Sequence, residues 1–322
     1  IYANVAKRLT LSTIAIMQYS APTMIFLIAV FVFKEPFGWE KLAAFALIWT
    51  ALAAAPAAAA DKVVLMLNWY VYGEHAPFYY GKAKGIYAAE GIDLEIQEGR
   101  GSAATTQAVA AKTANFGYVD VPTMMRAAVK GAPIVATGVL LQTSPMSAMG
   151  FVEKNIKKPE DIKGKTVAIT PADSMTQIWP LFLKKTGLKE SDFQTVAGDA
   201  QTKLNAVING QADLLLGYVM DQSMKIKDAT GKDVNAIKFA DYGINMVCSG
   251  VVANTEFVKA NADLVKRFMS ATTKAVEAAE KDPKAAAQAI LDANPKGGKI
   301  ETLTKGFELT IPLYRTAETK GK

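Results

Sequence analysis

From residue 61 onward, short apolar runs alternate with Ala- and Lys-containing segments whose apolar residues recur at helical spacing. The apolar runs predict strands at 63–69, 93–97, 116–119, 133–140, 166–170, 194–197 and 213–218. The intervening segments predict helices at 77–90, 103–112, 123–130, 175–185 and 200–209, with further helices at 260–281 and 283–294. Ser174 and Asp199 are the expected N-caps of the helices at 175 and 200. This alternation is typical of an α/β fold, in which a mainly parallel sheet is buried between layers of helices.

The first 60 residues follow a different pattern, because they contain two long runs without a charged side chain. The first run spans residues 9–33 and is long enough to cross a bilayer as a helix. The second spans residues 42–60 and ends in three alanines before Asp61, which is the small-residue form of a signal-peptidase site. We therefore expect hydrophobic helices in this segment and an exported soluble chain that begins near Asp61.

Composition narrows the class of protein further. The chain has 322 residues, of which 51% are hydrophobic and 20% charged, so a packed core and two domains of ordinary size are expected. The net charge is +6, but Lys and Arg are scattered instead of clustered in one stripe, which argues against nucleic-acid binding. One cysteine and one histidine supply neither an internal disulfide nor a closed zinc site. We expect no metal and no cofactor.

Candidate binding residues follow the predicted strands, because open parallel sheets bind ligands beyond the carboxyl ends of their strands. The segment from residue 68 to residue 80, after the first strand, holds six aromatic side chains and the histidine. Aromatic density of this kind suits a stacking slot for a flat ligand. In this segment we predict ligand contacts by Trp69, Tyr70, His75 and Phe78, although Phe78 also fits the buried face of the following helix.

Polar groups follow the later strands. A glycine-rich turn places Gly101, Ser102 and Ala103 at the start of a helix, where free N–H groups attract an anionic or carbonyl oxygen and where Ser102 also suits the N-cap. Asp120 follows the third strand, and it fits both an N-cap and an acceptor for a ligand amine. The remaining predicted contacts lie farther along the chain, at Gln142, Asp173, Ser174, Tyr218 and Asp221.

Several short motifs carry a family resemblance through their order and spacing. They are Leu67-Asn68-Trp69, His75-Ala76-Pro77-Phe78, Lys84-Gly85-Ile86-Tyr87, Glu90-Gly91-Ile92, Gly101-Ser102, residues 158–165 and Asn209-Gly210-Gln211-Ala212-Asp213. Over residues 62–315 they resemble the family of nitrate, sulfonate, taurine and thiamine-pyrimidine binding proteins of ABC importers. The resemblance implies a type II periplasmic-binding fold, with lobe one at 61–142 plus 241–322 and lobe two at 143–240.

The resemblance also implies a function. Two lobes close over a small polar ligand in the periplasm, and the closed protein docks on the membrane permease of an ABC importer. Trp69, Tyr70 and His75 are most similar to the pyrimidine-precursor branch, which implies a heteroaromatic ligand, with a sulfonate, taurine or nitrate as the alternative. An enzyme relative, a pyrimidine synthase, relies on a cysteine-rich loop, whereas this chain has only Cys248. We therefore expect a binding protein that catalyses nothing.

The two ends of the chain carry separate expectations. The N-terminal segment contains Ala6-Lys7-Arg8-Leu9, Ala21-Pro22-Thr23, Phe31-Val32-Phe33-Lys34-Glu35-Pro36 and Phe45-Ala46-Leu47-Ile48-Trp49. Through these motifs residues 1–50 resemble the last two membrane helices of a drug/metabolite-type permease, which implies a membrane anchor. The alternative is that residues 41–60 are a signal peptide. Members of the resembled family usually continue with another helix after residues 307–314, so we expect a truncated C-terminus that leaves lobe one partly uncovered.

Overall fold

The computed structural model describes residues 60–171, 173–317 and 319, and before them only residues 24, 28, 30–34, 38–40, 43 and 47. The hydrophobic helices, permease-like segment and signal peptide expected within residues 1–60 therefore fall largely outside the described residues. Among the residues that are described, no helix combines the length and apolar character needed to span a bilayer. The chain divides into two compact units, Ile1–Ala59 and Ala60–Lys322, and the candidate site lies within the second.

The first sheet has the strand order β2-β1-β3-β10-β4. Its strands are β1 Asp61–Met66, β2 Ile92–Gln97, β3 Phe116–Asp120, β4 Ile134–Val139 and β10 Ser249–Asn254. Strands β1, β2 and β3 pair in parallel, whereas β10 runs antiparallel to both β3 and β4. The helices of this half are α1 Ala76–Ala83, α2 Ile86–Ala89, α3 Ser102–Ala110, α4 Val121–Val129, α8 Thr255–Ala260, α9 Ala262–Lys281 and α10 Pro283–Ala293. We call this sheet with these helices lobe one.

The second sheet repeats the arrangement in the order β7-β6-β8-β5-β9. Its strands are β5 Met146–Phe151, β6 Thr166–Ile169, β7 Gln194–Ala197, β8 Leu214–Tyr218 and β9 Val234–Lys238. Here β6, β7 and β8 are parallel, and β5 is antiparallel to β8 and β9. Helices α5 Ser174–Thr186, α6 Ala200–Ile208 and α7 Val219–Thr230 complete what we call lobe two.

The two lobes share one hydrophobic core and one bridging helix. A single buried cluster includes Leu65 and Phe116 of lobe one together with Met146 and Leu214 of lobe two. Helix α11, Ile300–Thr310, packs both against the 3₁₀ turn Gly73–His75 of lobe one and against α7 of lobe two. The relative position of the lobes is therefore set by packed side chains as well as by the two chain crossings.

The expected α/β architecture of two helix-flanked sheets is confirmed, but three of its strands were not predicted. The missed strands are β5, β9 and β10. Strands β5 and β10, each antiparallel to both of its neighbours, are buried at every position and so lack the alternation that identifies a half-buried strand. Strand β5 also contains an Ala and a Gly, which are depleted in strands. Burial on both faces, rather than local preference, holds these segments extended.

Two predicted helix boundaries are corrected by the structure. The helix predicted at 77–90 stops at Ala83 and restarts at Ile86, because Gly85 adopts φ +69°, a left-handed conformation that ends a helix. The N-cap of α5 is Asp173 and not Ser174, since Asp173 Oδ1 accepts the Thr176 N–H at 2.7 Å. Asp199 caps α6 as predicted, accepting the Thr202 N–H at 2.8 Å.

The contact between Gly73 and α11 leaves no room for a side chain. A Cβ on Gly73 would lie 2.5 Å from the Phe307 backbone nitrogen and 2.6 Å from the Leu303 carbonyl oxygen. We predict that Gly73→Ala lowers the free energy of unfolding by about 1–3 kcal/mol, as overpacking usually does. Urea denaturation measures this, with exposed Lys305→Ala on α11 as the control. Equal stability of the two variants would contradict the close approach.

Candidate functional site

Four helix N-termini converge on one cavity between the lobes. Helices α3 and α4 begin at Ser102 and Val121 in lobe one, and α5 and α7 begin at Ser174 and Val219 in lobe two. Each begins shortly after the carboxyl end of a strand, as expected for ligand sites on open α/β sheets. The positive ends of four helix dipoles, with their free N–H groups, are thus directed to the same space.

The cavity is small and takes its walls from both lobes. It is lined by Asn68, Trp69, Tyr72, Gly101, Ser102 and Asp120 of lobe one and by Asp173, Ser174, Met175, Lys203, Gly217, Tyr218, Asp221 and Gln222 of lobe two. Its volume is about 40 Å³, which is room for about three water molecules. A ring-sized ligand therefore enters only when the walls move apart.

Trp69 stands between this cavity and a wider outer cleft of about 850 Å³, since it lines both. Its half-buried ring lies 5.5 Å from the ring of Tyr70, measured between centroids. Lys203 Nζ lies 5.5 Å from the centroid of Trp69, and Lys225 Nζ lies 3.5 Å from that of Tyr70, both within range of a cation–π interaction. The predicted aromatic wall thus contains Trp69, whereas Tyr70 faces the outer cleft.

Two hydrogen bonds between a tyrosine and an aspartate join the lobes across the cavity. Tyr70 Oη donates to Asp221 Oδ2 at 2.7 Å, and Tyr218 Oη donates to Asp120 Oδ1. Burial, reinforced by the neighbouring carboxylates, raises the pKa of both tyrosines well above its usual value. Both hydroxyls therefore remain protonated donors, and they hold the lobes in a closed arrangement.

Asp120 is held by lobe one as well as by Tyr218. Ser102 Oγ donates to Asp120 Oδ2 at 2.8 Å and accepts the Asp120 N–H at 3.0 Å. This corrects the expectation that Ser102 caps α3, because the N-cap position belongs to Gly101 and Ser102 bonds to Asp120 instead. Cys248 Sγ lies 3.1 Å from Asp120 Oδ1, and burial together with that carboxylate raises the pKa of the thiol well above its usual value. Cys248 is thus a protonated, buried thiol.

Asp221 has one engaged and one unengaged oxygen. Its Oδ2 accepts from Tyr70 Oη and from Gln222 Nε2, whereas its buried Oδ1 has no hydrogen-bond partner among the described residues. Burial raises the pKa of this carboxyl, against the opposing effect of Lys225 and other nearby groups. A buried acceptor without a partner costs free energy, which a ligand donor would recover.

Asp173 and Lys203 form a buried ion pair in the wall of lobe two. Lys203 Nζ lies 3.3 Å from Asp173 Oδ2, and the two side chains are only 2% and 6% exposed. Ser174 also lines the cavity beside them. Because Asp173 neutralises Lys203, this lysine does not supply a free positive charge to the cavity.

Besides Tyr70, which lines the outer cleft, four more of the predicted contact residues lie outside the cavity. His75 is fully buried, with its ring 4.5 Å from that of Tyr72 and its Nε2 2.8 Å from Asn68 Oδ1. Phe78 is buried with its ring 5.1 Å from that of Tyr118, and Ala103 lies in the first turn of α3 without lining the cavity. Gln142 borders a separate cavity and accepts a hydrogen bond from Thr319 Oγ1 at 2.6 Å. The turn Gly73–His75 and the helix after it direct His75 and Phe78 into the core.

The cavity also contains residues that the sequence analysis did not select, namely Asn68, Tyr72, Met175, Lys203, Gly217 and Gln222. One signal was available for Lys203, because it occupies the same buried face of α6 as Leu204 and Val207. A lysine on the apolar face of a helix requires a buried partner. Gln222 follows Asp221 directly, and its Oε1 accepts the Tyr218 N–H at 2.8 Å.

Behind the cavity lies a buried carboxyl that the sequence analysis did not consider. Glu74 is 1% exposed, and it accepts hydrogen bonds from Tyr118 Oη at 2.6 Å and from Tyr72 Oη. Burial raises the pKa of Glu74 to about 7, while burial lowers the pKa of the adjacent His75 to about 3. The two neighbours are therefore both driven toward their neutral forms.

Solved structures with the same fold include binding proteins. The alkanesulfonate-binding protein SsuA from Xanthomonas axonopodis pv. citri, bound to MOPS, superposes with a TM-score of 0.66 at 14% identity, over 82% of this chain and 90% of that one. The chain therefore has the fold of periplasmic binding proteins. At this identity, the likeness concerns the fold alone.

Sequence relatives include both enzymes and a binding protein. A 4-amino-5-hydroxymethyl-2-methylpyrimidine phosphate synthase of Legionella pneumophila is 25% identical over 79% of this chain and 80% of its own length. The riboflavin-binding protein RibY of Chloroflexus aurantiacus is 23% identical over 84% of this chain and 80% of its own length. The synthases overturn the expectation of a chain that catalyses nothing, because these relatives, which match 73–79% of the chain, are named as enzymes.

A protein-family model shows which family the chain belongs to. The model described as NMT1/THI5 like matches residues 73–286, which is well over half of the chain. This match gives no support to the permease resemblance of residues 1–50, which lie before it. It includes both sheets except β1 and most of the residues that line the cavity. The chain belongs to the NMT1/THI5-like family.

Proposed function

We propose that the chain binds a small polar heteroaromatic solute of the pyrimidine type in the cavity between its lobes. The observation that carries this proposal is the convergence of Trp69 and Tyr218, from opposite lobes, on one cavity lined by carboxyl, amide and hydroxyl groups. An aromatic wall supplies contact area to a flat ring, and the polar groups fix its orientation. The pyrimidine named in the synthase relatives is a molecule of this kind.

Binding requires the lobes to open and close. The cavity of about 40 Å³ does not admit a ring, and the Tyr70–Asp221 and Tyr218–Asp120 hydrogen bonds span the lobes. A form closed on a ring holds the walls farther apart than this one does, and the ligand favours that form only through contacts that the open form lacks. Moving the population from mostly open to mostly closed requires roughly 5 kcal/mol of such differential affinity.

The role of the ligand-bound protein is to deliver its ligand to a membrane transporter. We place the protein in the periplasm, where the closed, loaded form docks on the membrane permease of an ABC importer. The support is the fold, which is shared with binding components of import systems. Co-purification of the permease with this protein, with and without the pyrimidine, tests the partner. Absence of ligand-dependent association would contradict delivery.

A thermal-shift screen tests the ligand class. The probes are 4-amino-5-hydroxymethyl-2-methylpyrimidine, riboflavin, taurine, ethanesulfonate and nitrate. A ligand at one hundred times its dissociation constant stabilises the folded protein by about 2.7 kcal/mol, which is readily measured. We expect stabilisation by the pyrimidine. Stabilisation by ethanesulfonate or nitrate alone would replace the proposal with an anion-binding function.

The names of the relatives favour a second candidate function, the synthesis of a pyrimidine phosphate. The cavity suits the product ring as well as it suits a transported ring. Incubation of the purified protein with cell extract that lacks its own synthase, followed by mass spectrometry for the pyrimidine phosphate, tests this function. Product formed above the extract alone would establish catalysis.

We predict that Trp69→Ala weakens pyrimidine binding by about tenfold or more, because a stacked ring contributes about 1 kcal/mol beyond the area that it buries. Isothermal titration calorimetry measures the affinity, and circular dichroism checks that the fold is kept. The matched control is Tyr80→Ala, which removes a half-buried aromatic ring near Lys84, outside the residues that line the cavity. Unchanged affinity in Trp69→Ala would remove this ring from the site.

A further inference from the structure

The helix N-termini around the cavity would ordinarily favour an anionic ligand. Four helices begin there, and each contributes free N–H groups and the positive end of a dipole. In this chain, an aspartate lies at three of these ends, and one of them, Asp173, accepts a hydrogen bond from its helix. Asp120 precedes α4, Asp173 caps α5 and Asp221 lies in the first turn of α7. The attraction for an anion is therefore largely satisfied within the fold.

The charge balance of the lining points the same way. Asp120, Asp173 and Asp221 line the cavity together with one lysine, Lys203, and that lysine is paired with Asp173 at 3.3 Å. Asp120 and Asp221 have no ion-pair partner within 4.0 Å among the described residues, and both are at least 97% buried. A sulfonate or nitrate placed here would meet two carboxyl groups that form no ion pair, since Lys225 lies over the Tyr70 ring and acts on Asp221 only from beyond 4.0 Å.

Besides the charge of the lining, one carboxyl oxygen of Asp221 places a specific constraint on the ligand. Its Oδ2 is engaged by Tyr70 and Gln222, whereas its Oδ1 is buried and has no donor in the part of the chain that the structure describes. The side chain lines the cavity and is 3% exposed. A charged or polar acceptor in this position is stabilised by a donor that comes from the ligand.

We infer that the ligand presents a hydrogen-bond donor, an amino group or a protonated ring nitrogen, to Asp221 Oδ1, and that the cavity discriminates against sulfonate and nitrate anions. This inference rests on the proposed function, and it names the substituent that distinguishes one heteroaromatic ligand from another. Trp69 binds the ring irrespective of its substituents, while Asp221 selects the aminated ring.

The test compares three probes on the wild-type protein by calorimetry: 4-amino-5-hydroxymethyl-2-methylpyrimidine, the same molecule without its 4-amino group, and ethanesulfonate. We expect the aminated ring to bind at least tenfold more tightly than the des-amino ring, a difference of about 1.4 kcal/mol. We expect no binding of ethanesulfonate. This comparison needs no variant, so it does not depend on the folding of one.

Asp221→Asn then assigns the selectivity to this side chain. The amide keeps the shape but offers a donor in place of one acceptor oxygen, so the tenfold preference is expected to fall to threefold or less. The control is Asp233→Asn, which removes an exposed carboxylate paired with Lys227 and is expected to keep the preference. A preference unchanged in Asp221→Asn would overturn the inference.

The outcomes separate the inference from the function on which it rests. Equal affinity for the aminated and des-amino rings leaves pyrimidine binding intact and overturns the inference. Binding of ethanesulfonate in preference to both rings overturns both. If neither ring binds, the proposed function is overturned and, with it, the selectivity assigned to Asp221.

Discussion

Replacing Lys203 with methionine is expected to lower the free energy of unfolding by about 3–5 kcal/mol, because removing one partner of a buried ion pair leaves an uncompensated charge. Lys203 is 2% exposed, and its Nζ lies 3.3 Å from Asp173 Oδ2. Methionine keeps the apolar stem and most of the volume, so the lost interaction is mainly electrostatic. Urea denaturation followed by circular dichroism measures the change.

Two further variants show whether the cost comes from the buried charge. Lys227→Met breaks the exposed pair with Asp233 and is expected to cost at most about 1 kcal/mol, as surface pairs do. Adding Asp173→Asn to Lys203→Met removes the isolated carboxylate and is expected to recover more than half of the loss. The amide oxygen still accepts the Thr176 N–H that Asp173 receives at 2.7 Å. A cost in Lys203→Met no larger than that in Lys227→Met would contradict the buried pair.

The sequence predicted the parallel strands and most of the residues at their carboxyl ends. Trp69, Ser102, Asp120, Tyr218 and Asp221 all line the cavity, because a side chain directly after a strand of an open sheet has few places to go. The antiparallel strands β5 and β10 were missed, since their pairing depends on partners far away in the chain. Long-range pairing leaves little trace in local propensity.

Side-chain direction was the less predictable part of the site. His75 and Phe78 come from the same aromatic segment as Trp69, yet both point into the core. A short 3₁₀ turn, Gly73–His75, contains His75 and separates Phe78 from Trp69, and no periodicity extends through such a turn. Lys203 was missed because Gln201, Thr202 and Asn205 of its helix are exposed. Gln222 was missed although Asp221, directly before it, was predicted.

Adjacent residues Glu74 and His75 are expected to give opposite dependences of stability on pH. Burial raises the pKa of Glu74 from 4.5 to about 7, so the folded state keeps its proton where the unfolded state has lost it. Its contribution to stability is full below pH 4.5 and is lost as the pH rises toward 7. At about 1.4 kcal/mol for each pKa unit, the loss is about 3 kcal/mol.

His75 has the reverse sign. Burial lowers its pKa from 6.5 to about 3, so its contribution is full above pH 6.5 and is lost as the pH falls toward 3. The two pH ranges overlap between pH 4.5 and 6.5. There the free energy of unfolding falls with rising pH through Glu74 and increases through His75, each by about 1.4 kcal/mol for each pH unit. Their sum is therefore close to zero in this range.

Variants at the two positions separate the slopes. Glu74→Gln is expected to gain about 3 kcal/mol in the free energy of unfolding between pH 4.5 and 6.5, relative to the change in the wild-type protein. His75→Gln, whose amide donates to Asn68 Oδ1 as His75 Nε2 does at 2.8 Å, is expected to lose a similar amount. Chemical denaturation at several pH values gives each curve, and subtracting the wild-type curve removes contributions from groups that all three proteins share. Parallel curves for the three proteins would show that neither group is held neutral in the fold.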